Sequence, residues 1–147
     1  MHSTELHQYV SLTIDGVLFG ISVDHIEDVI FTPNMTCVPL ADPMICGLLN
    51  LRGRIVTALD FGMVLNVSAK ANARRAMSII VEIEGGLYSL LVDSVGDVMT
   101  LTPSLLEKNP SNVEEQWRQY SLGVSYSGEK LLIVLDEKKI FSNLFVN

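Results

Sequence analysis

Apolar and polar residues alternate over short segments of this chain, with the two-residue period of a half-buried β-strand. In the first such segment, Val10, Leu12 and Ile14 share one face. Asp15-Gly16 follows it and is a strong hairpin signal, because a type I′ turn needs positive φ at both central residues. Further strands are predicted at 18–23, 77–83, 87–92, 95–101, 120–126 and 130–135. The pattern predicts an all-β protein of short strands joined by tight turns.

A different spacing follows the second predicted strand. Ile26, Val29 and Ile30 recur at helical intervals after Asp24, a residue suited to a helix N-cap. Glu27 follows Asp24 at the separation of a capping box. This spacing predicts one or two helical turns.

Two later aspartates are placed to cap short helices. Asp60 precedes an apolar segment at 61–65, and Asp136 precedes a closing segment at 137–144 with apolar residues on one side. Residues 66–76 are polar or small and carry no periodic pattern, so we interpret them as a linker.

The stretch around which the chain is organised runs from residue 47 to residue 61. Two apolar runs flank a charged tip that contains glycine, which predicts a strand, a tight loop and a second strand. Arg52 lies in this tip directly before Gly53, a residue that can adopt a positive φ. A guanidinium on a short loop between rigid strands is suited to recognition. The same pattern fits an ordinary hairpin with a solvated arginine, so both interpretations stay open here.

The chain also contains an internal repeat. Segment 14–29 matches segment 83–98, and segment 47–60 matches segment 123–136, with glycine and aspartate at equivalent places. Turn residues are not forced by an apolar composition, so chance similarity is a poor explanation. The repeat predicts two small five-stranded barrels related by a pseudo-two-fold axis. Their sequence halves span 9–66 and 77–141 within a single domain covering 1–147, with room for an exchange of terminal strands.

Composition narrows the class of protein. Among 147 residues, 48% are hydrophobic and 18% charged, enough apolar material for one compact domain or two small subdomains. The net charge of −7 and the scattered lysines and arginines argue against nucleic-acid binding. No apolar run is long enough for a membrane span, and the N-terminus does not read as a signal peptide. The two cysteines fit small buried residues in a reducing cytoplasm.

No motif for catalysis or cofactor binding is present in the sequence. Nucleophile elbows, phosphate-binding glycine loops and dinucleotide fingerprints are missing. The histidines and cysteines lack metal-ligand spacing. We therefore expect no catalytic residues, no metal and no cofactor, and interpret the chain as a binding module.

With these residues in place, the chain resembles the CheW family of chemotaxis coupling proteins and the related regulatory domain of the histidine kinase CheA. The similarity extends from about residue 9 to residue 141. Its most specific motif is Asn50-Leu51-Arg52-Gly53, followed by Ile55-Val56 and Leu59-Asp60. Segments 92–98 and 120–123 also match family motifs. The resemblance implies two SH3-like five-stranded β-barrels and a non-enzymatic adaptor in the cytoplasm, peripheral to chemoreceptor arrays.

The resemblance also implies partners and contact residues. The adaptor would join the cytoplasmic tips of chemoreceptors to a CheA-like kinase regulatory domain, without nucleic acid and without membrane insertion. The expected receptor-binding residues are Asn50, Leu51, Arg52, Gly53, Ile26, Val29, Val92, Val95 and Val98. Val124 and Tyr126 are candidates for kinase contact. Glu27 and Asp28 are candidate partners for Arg52, whose side-chain fork suits a carboxylate.

Other functions stay open at this point. A CheW-like scaffold could serve a parallel pathway such as pilus or surface motility, because the loop at 68–75 departs from the family pattern. A small barrel could bind oligonucleotides, but that would require a basic face studded with aromatic residues. An enzyme or ligand-binding barrel would require convergent polar groups around a pocket, and the sequence offers none.

Overall fold

The computed structural model describes residues 5–68, 70, 72, 74–108 and 119–144. Within these residues the chain forms ten β-strands, two α-helices and two short 3-10 helices. The strands are β1 His7–Ile14, β2 Val17–Ser22, β3 Ile26–Phe31, β4 Ile45–Leu51, β5 Arg54–Asp60, β6 Met77–Ile83, β7 Gly86–Val92, β8 Ser94–Leu101, β9 Ser121–Ser127 and β10 Lys130–Leu135. The helices are α1 Phe61–Val64 and α2 Glu137–Leu144, with 3-10 turns at Val23–His25 and Pro103–Leu105.

The strands form two five-stranded sheets, in the orders β8-β1-β2-β10-β9 and β3-β6-β7-β5-β4. In the first sheet β2 pairs in parallel with β10, and in the second β5 pairs in parallel with β7. The first compact unit comprises Met1–Val23 and Val95–Asn147, and the second comprises Asp24–Ser94. The predicted fold class, all-β with short helices, is confirmed, and the two predicted SH3-like five-stranded barrels are found as two curled five-stranded sheets.

Each sheet takes strands from both predicted sequence halves. The first unit combines β1 and β2 with β8, β9 and β10, and the second combines β3, β4 and β5 with β6 and β7. The predicted linker at 66–76 consequently lies inside the second unit. The halves at 9–66 and 77–141 describe the sequence repeat, and their standing as subdomains of one domain stays a prediction.

Two glycines at matching repeat positions perform the same structural task. A Cβ at Gly47 would lie 2.7 Å from the carbonyl oxygen of Thr36, and one at Gly123 would lie 2.7 Å from that of Glu107. Thr36 and Glu107 each form an isolated β-bridge, to Leu48 and Val124 respectively. In both units a glycine lets a loop segment lie close against the outer strand, β4 or β9, and so covers a sheet edge.

The helical turns predicted for residues 26–30 are wrong. A 3-10 turn at Val23–His25 leads directly into strand β3, which pairs antiparallel with β6. Ile26 pairs with Val81, and the register shifts by a bulge before Asp28. Isoleucine and valine favour strands, and a neighbouring strand supplies ladder hydrogen bonds, so pairing prevails over helical spacing.

The predicted helix caps are borne out. Asp60 is the N-cap of α1, and its Oδ1 accepts a hydrogen bond of 3.1 Å from the Met63 amide. Asp136 precedes α2 and accepts from the Lys139 amide at 3.5 Å. The sequence also predicts an irregular segment at 102–119, of which residues 109–118 lie outside the described residues.

Each unit has its own apolar core. In the second unit, buried residues cluster between the faces of the curled sheet: Leu49, Val56, Ala58, Ile80, Leu87 and Leu91. In the first unit the corresponding cluster is Tyr9, Leu106, Leu132 and Val134. Removal of these side chains from water is the main stabilising contribution in each unit.

Candidate protein-interaction site

The β4–β5 hairpin carries the strongest sequence motif on a two-residue turn. Leu51 pairs with Arg54, which leaves Arg52 and Gly53 at the tip with φ values of 52° and 82°. These are the positive values that a type I′ turn needs. The Asn50 side chain closes the turn by accepting a 2.9 Å hydrogen bond from the Gly53 amide. The motif therefore shapes its own loop.

Arg52 occupies a strained backbone position. Left-handed backbone costs a non-glycine residue roughly 1–2 kcal/mol, and asparagine or aspartate tolerates it best. The matching turns at residues 15–16 and 84–85 have an acidic residue in the corresponding place, Asp15 or Glu84. Backbone strain of this kind is frequent at functional sites, so it makes the Arg52 guanidinium a candidate binding group.

The Arg52 side chain reaches across the second unit to strand β3. Its Nη2 lies 3.0 Å from Oδ2 of Asp28, and the side chains are 77% and 29% exposed. Oδ1 of Asp28 accepts from the Val29 amide at 2.9 Å, which orients the carboxylate. Strands β3 and β4 are opposite edges of one sheet, so this ion pair joins the two edges of a curled sheet. Of the two candidate partners, Asp28 makes the contact.

Glu27 faces a different neighbour. A hydrogen bond with Glu82 is the largest cause that raises the pKa of Glu27, with smaller increases from desolvation and from charge repulsion by Glu82. The positive charge of Arg54 acts in the opposite direction on this pKa. The protein surface around Asp28 is consequently acidic on the side of strands β3 and β6 and basic on the side of the β4–β5 hairpin.

The other predicted receptor-contact residues differ in how deeply they are buried and in which unit they lie. Ile26 and Val29 lie half-buried on β3, whereas Val92 on β7 is fully buried. Val95 is half-buried and Val98 is 53% exposed, both on β8 in the first unit. Val92 therefore belongs to the core and has no side-chain surface to offer a receptor.

The two kinase-contact candidates on β9 also differ. Val124 is 1% exposed and pairs with Ile133, so it is a core residue. Tyr126 is 52% exposed and pairs with Leu131. Only Tyr126 is available for contact, whereas Val124 is buried and forms a β-bridge with Glu107.

A buried ionic cluster in the predicted linker was not anticipated from sequence. Arg75 is 3% exposed, and its Nε lies 3.2 Å from both carboxylate oxygens of Asp60. Its Nη1 donates to Asp93 at 2.7 Å, and its Nη2 donates to Ser68 at 2.7 Å. Arg75 therefore joins the carboxylates of Asp60 and Asp93. Nothing in the sequence around Arg74-Arg75 indicated that one of these two arginines would be buried.

Two kinds of site were not found among the described residues. In this part of the chain no group of three or more histidine, cysteine or acidic side chains is arranged to hold a metal ion. The helices in these residues are all too short or too polar to cross a membrane. Burial raises the pKa of the Cys46 thiol to about 11, so that cysteine is inert rather than nucleophilic.

Comparison with known proteins gives a consistent result. The model of the CheW-like domain family matches residues 8–145. A relative from Thermotoga maritima, named chemotaxis protein CheW, is 32% identical over 143 residues, covering 95% of this chain and 90% of its own. A Bacillus subtilis protein of the same name is 25% identical over 127 residues, covering 86% and 81%.

A solved structure matches the fold. The scaffolding protein TtCheW from Thermoanaerobacter tengcongensis superposes with a TM-score of 0.74 at 23% sequence identity. The match covers 92% of this chain and 87% of the other. At this identity the likeness shows a shared fold.

Proposed function

Because the chain belongs to the CheW-like domain family, we propose that it is a chemotaxis adaptor coupling the cytoplasmic tips of chemoreceptors to a CheA-like histidine kinase. Relatives named chemotaxis protein CheW match nearly its full length, which supports the adaptor role. The role is one of binding without catalysis, at the cytoplasmic face of receptor arrays. The pathway, flagellar or surface motility, depends on which receptors are expressed with it.

One observation supports a receptor contact at Arg52. Its backbone is strained and an ion pair holds its side chain, yet that side chain is exposed to solvent. The hairpin fixes its backbone, Asp28 holds one nitrogen of its guanidinium, and the side chain is 77% exposed. An exposed ion pair contributes only about 0–1 kcal/mol to stability. That contribution does not exceed the backbone strain of roughly 1–2 kcal/mol. The arrangement is therefore better suited to presenting a guanidinium than to stabilising the fold.

The remaining candidates whose side chains are at least partly accessible extend the proposal. Ile26 and Val29 flank Asp28 on β3, and Val95 and Val98 lie on β8, which the repeat makes the counterpart of β3. We assign these side chains to the receptor contact together with the Arg52 turn. Tyr126 is assigned to the kinase contact, since an exposed aromatic side chain is a frequent anchor in protein interfaces.

The test is a coupling assay with three purified components. The receptor signalling fragment, the kinase and this protein come from the same organism, and kinase autophosphorylation is measured with and without the protein. We expect receptor control of the kinase only when the protein is present. Failure to bind receptor and kinase, measured by calorimetry, would refute the adaptor role.

Arg52 variants separate recognition from structure in the same assay. Arg52→Ala should weaken receptor binding by about 1–3 kcal/mol if the guanidinium is a desolvated anchor. Arg52→Lys keeps the charge but loses the fork and should restore binding only in part. Arg74→Ala, which removes an exposed arginine elsewhere in the same unit, is the matched control. Unchanged affinity with a lowered melting temperature would instead make Arg52 structural.

A further inference from the structure

Helix α2 borders an open recess in the first unit. The volume of the recess is about 390 Å³, and the described residues that line it are Gln119, Lys138, Lys139 and Ser142. All four residues are exposed, and we name them the α2 basic face. Both charged residues in this set are cations, whereas the chain as a whole carries a net charge of −7.

The opposite side of α2 fixes the helix to the first unit. Ile140 and Phe141 are buried on that side. The buried Glu137 carboxylate accepts a hydrogen bond from the Ser22 amide at the end of β2. The lysines are consequently presented from a packed helix, and a partner that binds them does not have to order the backbone that carries them.

The two lysines are placed where they do not stabilise their own helix. They lie in the first turn of α2, where the helix dipole disfavours a cation. Among the described residues, neither Lys138 nor Lys139 forms an ion pair with a carboxylate, whereas Arg52 and Arg75 both do. Ser142 follows at helical spacing and lies on the same surface. The α2 basic face therefore offers two ammonium groups without an acidic partner beside a concave surface.

We propose that the α2 basic face binds an acidic segment of another protein, whose carboxylates pair with Lys138 and Lys139. The inference goes beyond the proposed function, because it uses none of the residues assigned to the receptor or to the kinase. The Gln119 amide and the Ser142 hydroxyl add hydrogen-bond donors for carboxylate or backbone oxygens. A cavity of about 150 Å³ holds a benzene molecule, so a recess of about 390 Å³ has room for more than one side chain.

The charges favour a protein segment over a membrane or a nucleic acid. Segments that bind anionic membranes bring together about four to eight lysines and arginines, and the described part of this face has two. Nucleic-acid binding needs a longer basic stripe, and the net charge of −7 opposes it. Lysine is a point charge on a flexible stem, which suits carboxylates at variable spacing along a peptide.

The experiment titrates the isotope-labelled full-length chain with an acetylated hexaglutamate peptide at low salt and follows the backbone amides by NMR. The test variant combines Lys138→Gln with Lys139→Gln, which removes both charges and keeps polar side chains. The matched control combines Lys108→Gln with Lys130→Gln, at two exposed lysines of the first unit that do not line the recess. Thermal unfolding establishes that both variants are folded.

We expect the peptide to shift the amide signals of α2 and of Gln119, with an affinity that falls as salt is added. The Lys138→Gln, Lys139→Gln chain should bind the peptide at least about fivefold more weakly, because two charge pairs are lost. The control should stay within about twofold of the wild type. In the three-component coupling assay, the test variant should transmit receptor control to the kinase as the wild type does.

Other results would overturn the inference. Signals that shift around Arg52 and Arg54 instead, or no shifts at all, would show that the α2 basic face does not select acidic segments. Equal binding of inorganic phosphate at the same concentration would show a simple anion site. Binding of phosphatidylserine vesicles in place of the peptide would show a membrane surface.

The coupling assay separates this inference from the proposed function. Loss of receptor or kinase binding in the Lys138→Gln, Lys139→Gln chain would place these lysines in a contact already proposed, and a separate site would be excluded. The adaptor role is tested by the wild-type chain in that assay, so it stands or fails independently of the peptide titration.

Discussion

Arg75 and Asp60 form a buried ion pair in which Nε of the arginine lies 3.2 Å from both carboxylate oxygens. Asp60 is also the N-cap of α1, and its carboxylate accepts from the Met63 and Asn72 amides. One carboxylate thus ties a helix start to the loop that carries Arg75. A buried charge pair of this kind is costly to break because the remaining partner is left unpaired.

Arg75→Met should accordingly destabilise the fold. We expect a loss of about 3–5 kcal/mol in the free energy of unfolding, because Asp60 would stay buried without its ionic partner. Chemical denaturation monitored by circular dichroism measures the change. Arg74→Met, at the exposed neighbouring position, should stay within about 0.5 kcal/mol of the wild type. Equal, small effects at both positions would contradict the assignment.

Arg52→Asn should separate stability from binding. Asparagine tolerates the left-handed backbone better than arginine, so the hairpin should be as stable as the wild type or gain up to about 1 kcal/mol. Receptor affinity should nevertheless fall, because the guanidinium is gone. Thermal unfolding and calorimetric titration on the same sample test both statements. A variant that keeps full receptor affinity would remove Arg52 from the contact.

Val124→Asp and Tyr126→Asp should behave differently despite lying two residues apart on β9. A charge at the buried Val124 position should cost more than about 3 kcal/mol and unfold the first unit. The same charge at the exposed Tyr126 position should preserve the circular dichroism spectrum and weaken kinase binding. Intact kinase binding by Tyr126→Asp would exclude that residue from the kinase contact.

Gly47→Ala and Gly123→Ala should both destabilise the protein. Each added Cβ would lie 2.7 Å from a backbone carbonyl oxygen, and overpacking of this kind typically costs about 1–3 kcal/mol. Gly53→Ala is the control, because its Cβ would meet nothing within 4 Å and its penalty comes from backbone strain alone. Denaturation midpoints of the three variants give the comparison. A smaller loss at Gly47 than at Gly53 would argue against the covering segment.

The pKa of Glu27 should depend on Glu82. In the folded chain the neighbouring carboxyl raises the pKa of Glu27 above its ordinary value of 4.5, so the folded state holds the proton more tightly. The stabilising contribution of the pair is therefore present below the ordinary pKa and is lost as the pH rises through the raised value. Glu82→Gln should lower the pKa of Glu27, as measured by NMR titration. Glu129→Gln, in an exposed turn, should leave it unchanged.

Local features of the chain were predictable because local residues decide them. The two-residue alternation specified most strands, and Asp15-Gly16 specified a turn whose φ values are 48° and 84°. Asp60 specified the start of α1, since a cap requires only its own side chain and the next few amides. The repeat specified Gly47 and Gly123 as equivalent positions, and the Arg52-Gly53 tip was identified from its motif.

Tertiary structure alone decided the features that depend on distant partners. Residues 26–31 form a strand because β6 lies beside them, which their own spacing does not reveal. Arg75 is buried because Asp60 and Asp93 converge on it, although nothing near it in sequence indicates burial. Strands from both sequence halves share each sheet because β2 pairs with β10 and β5 pairs with β7. The pattern of side chains determines the local conformation and which face of a strand is apolar. Which strands pair with one another is determined by contacts between segments far apart in the chain.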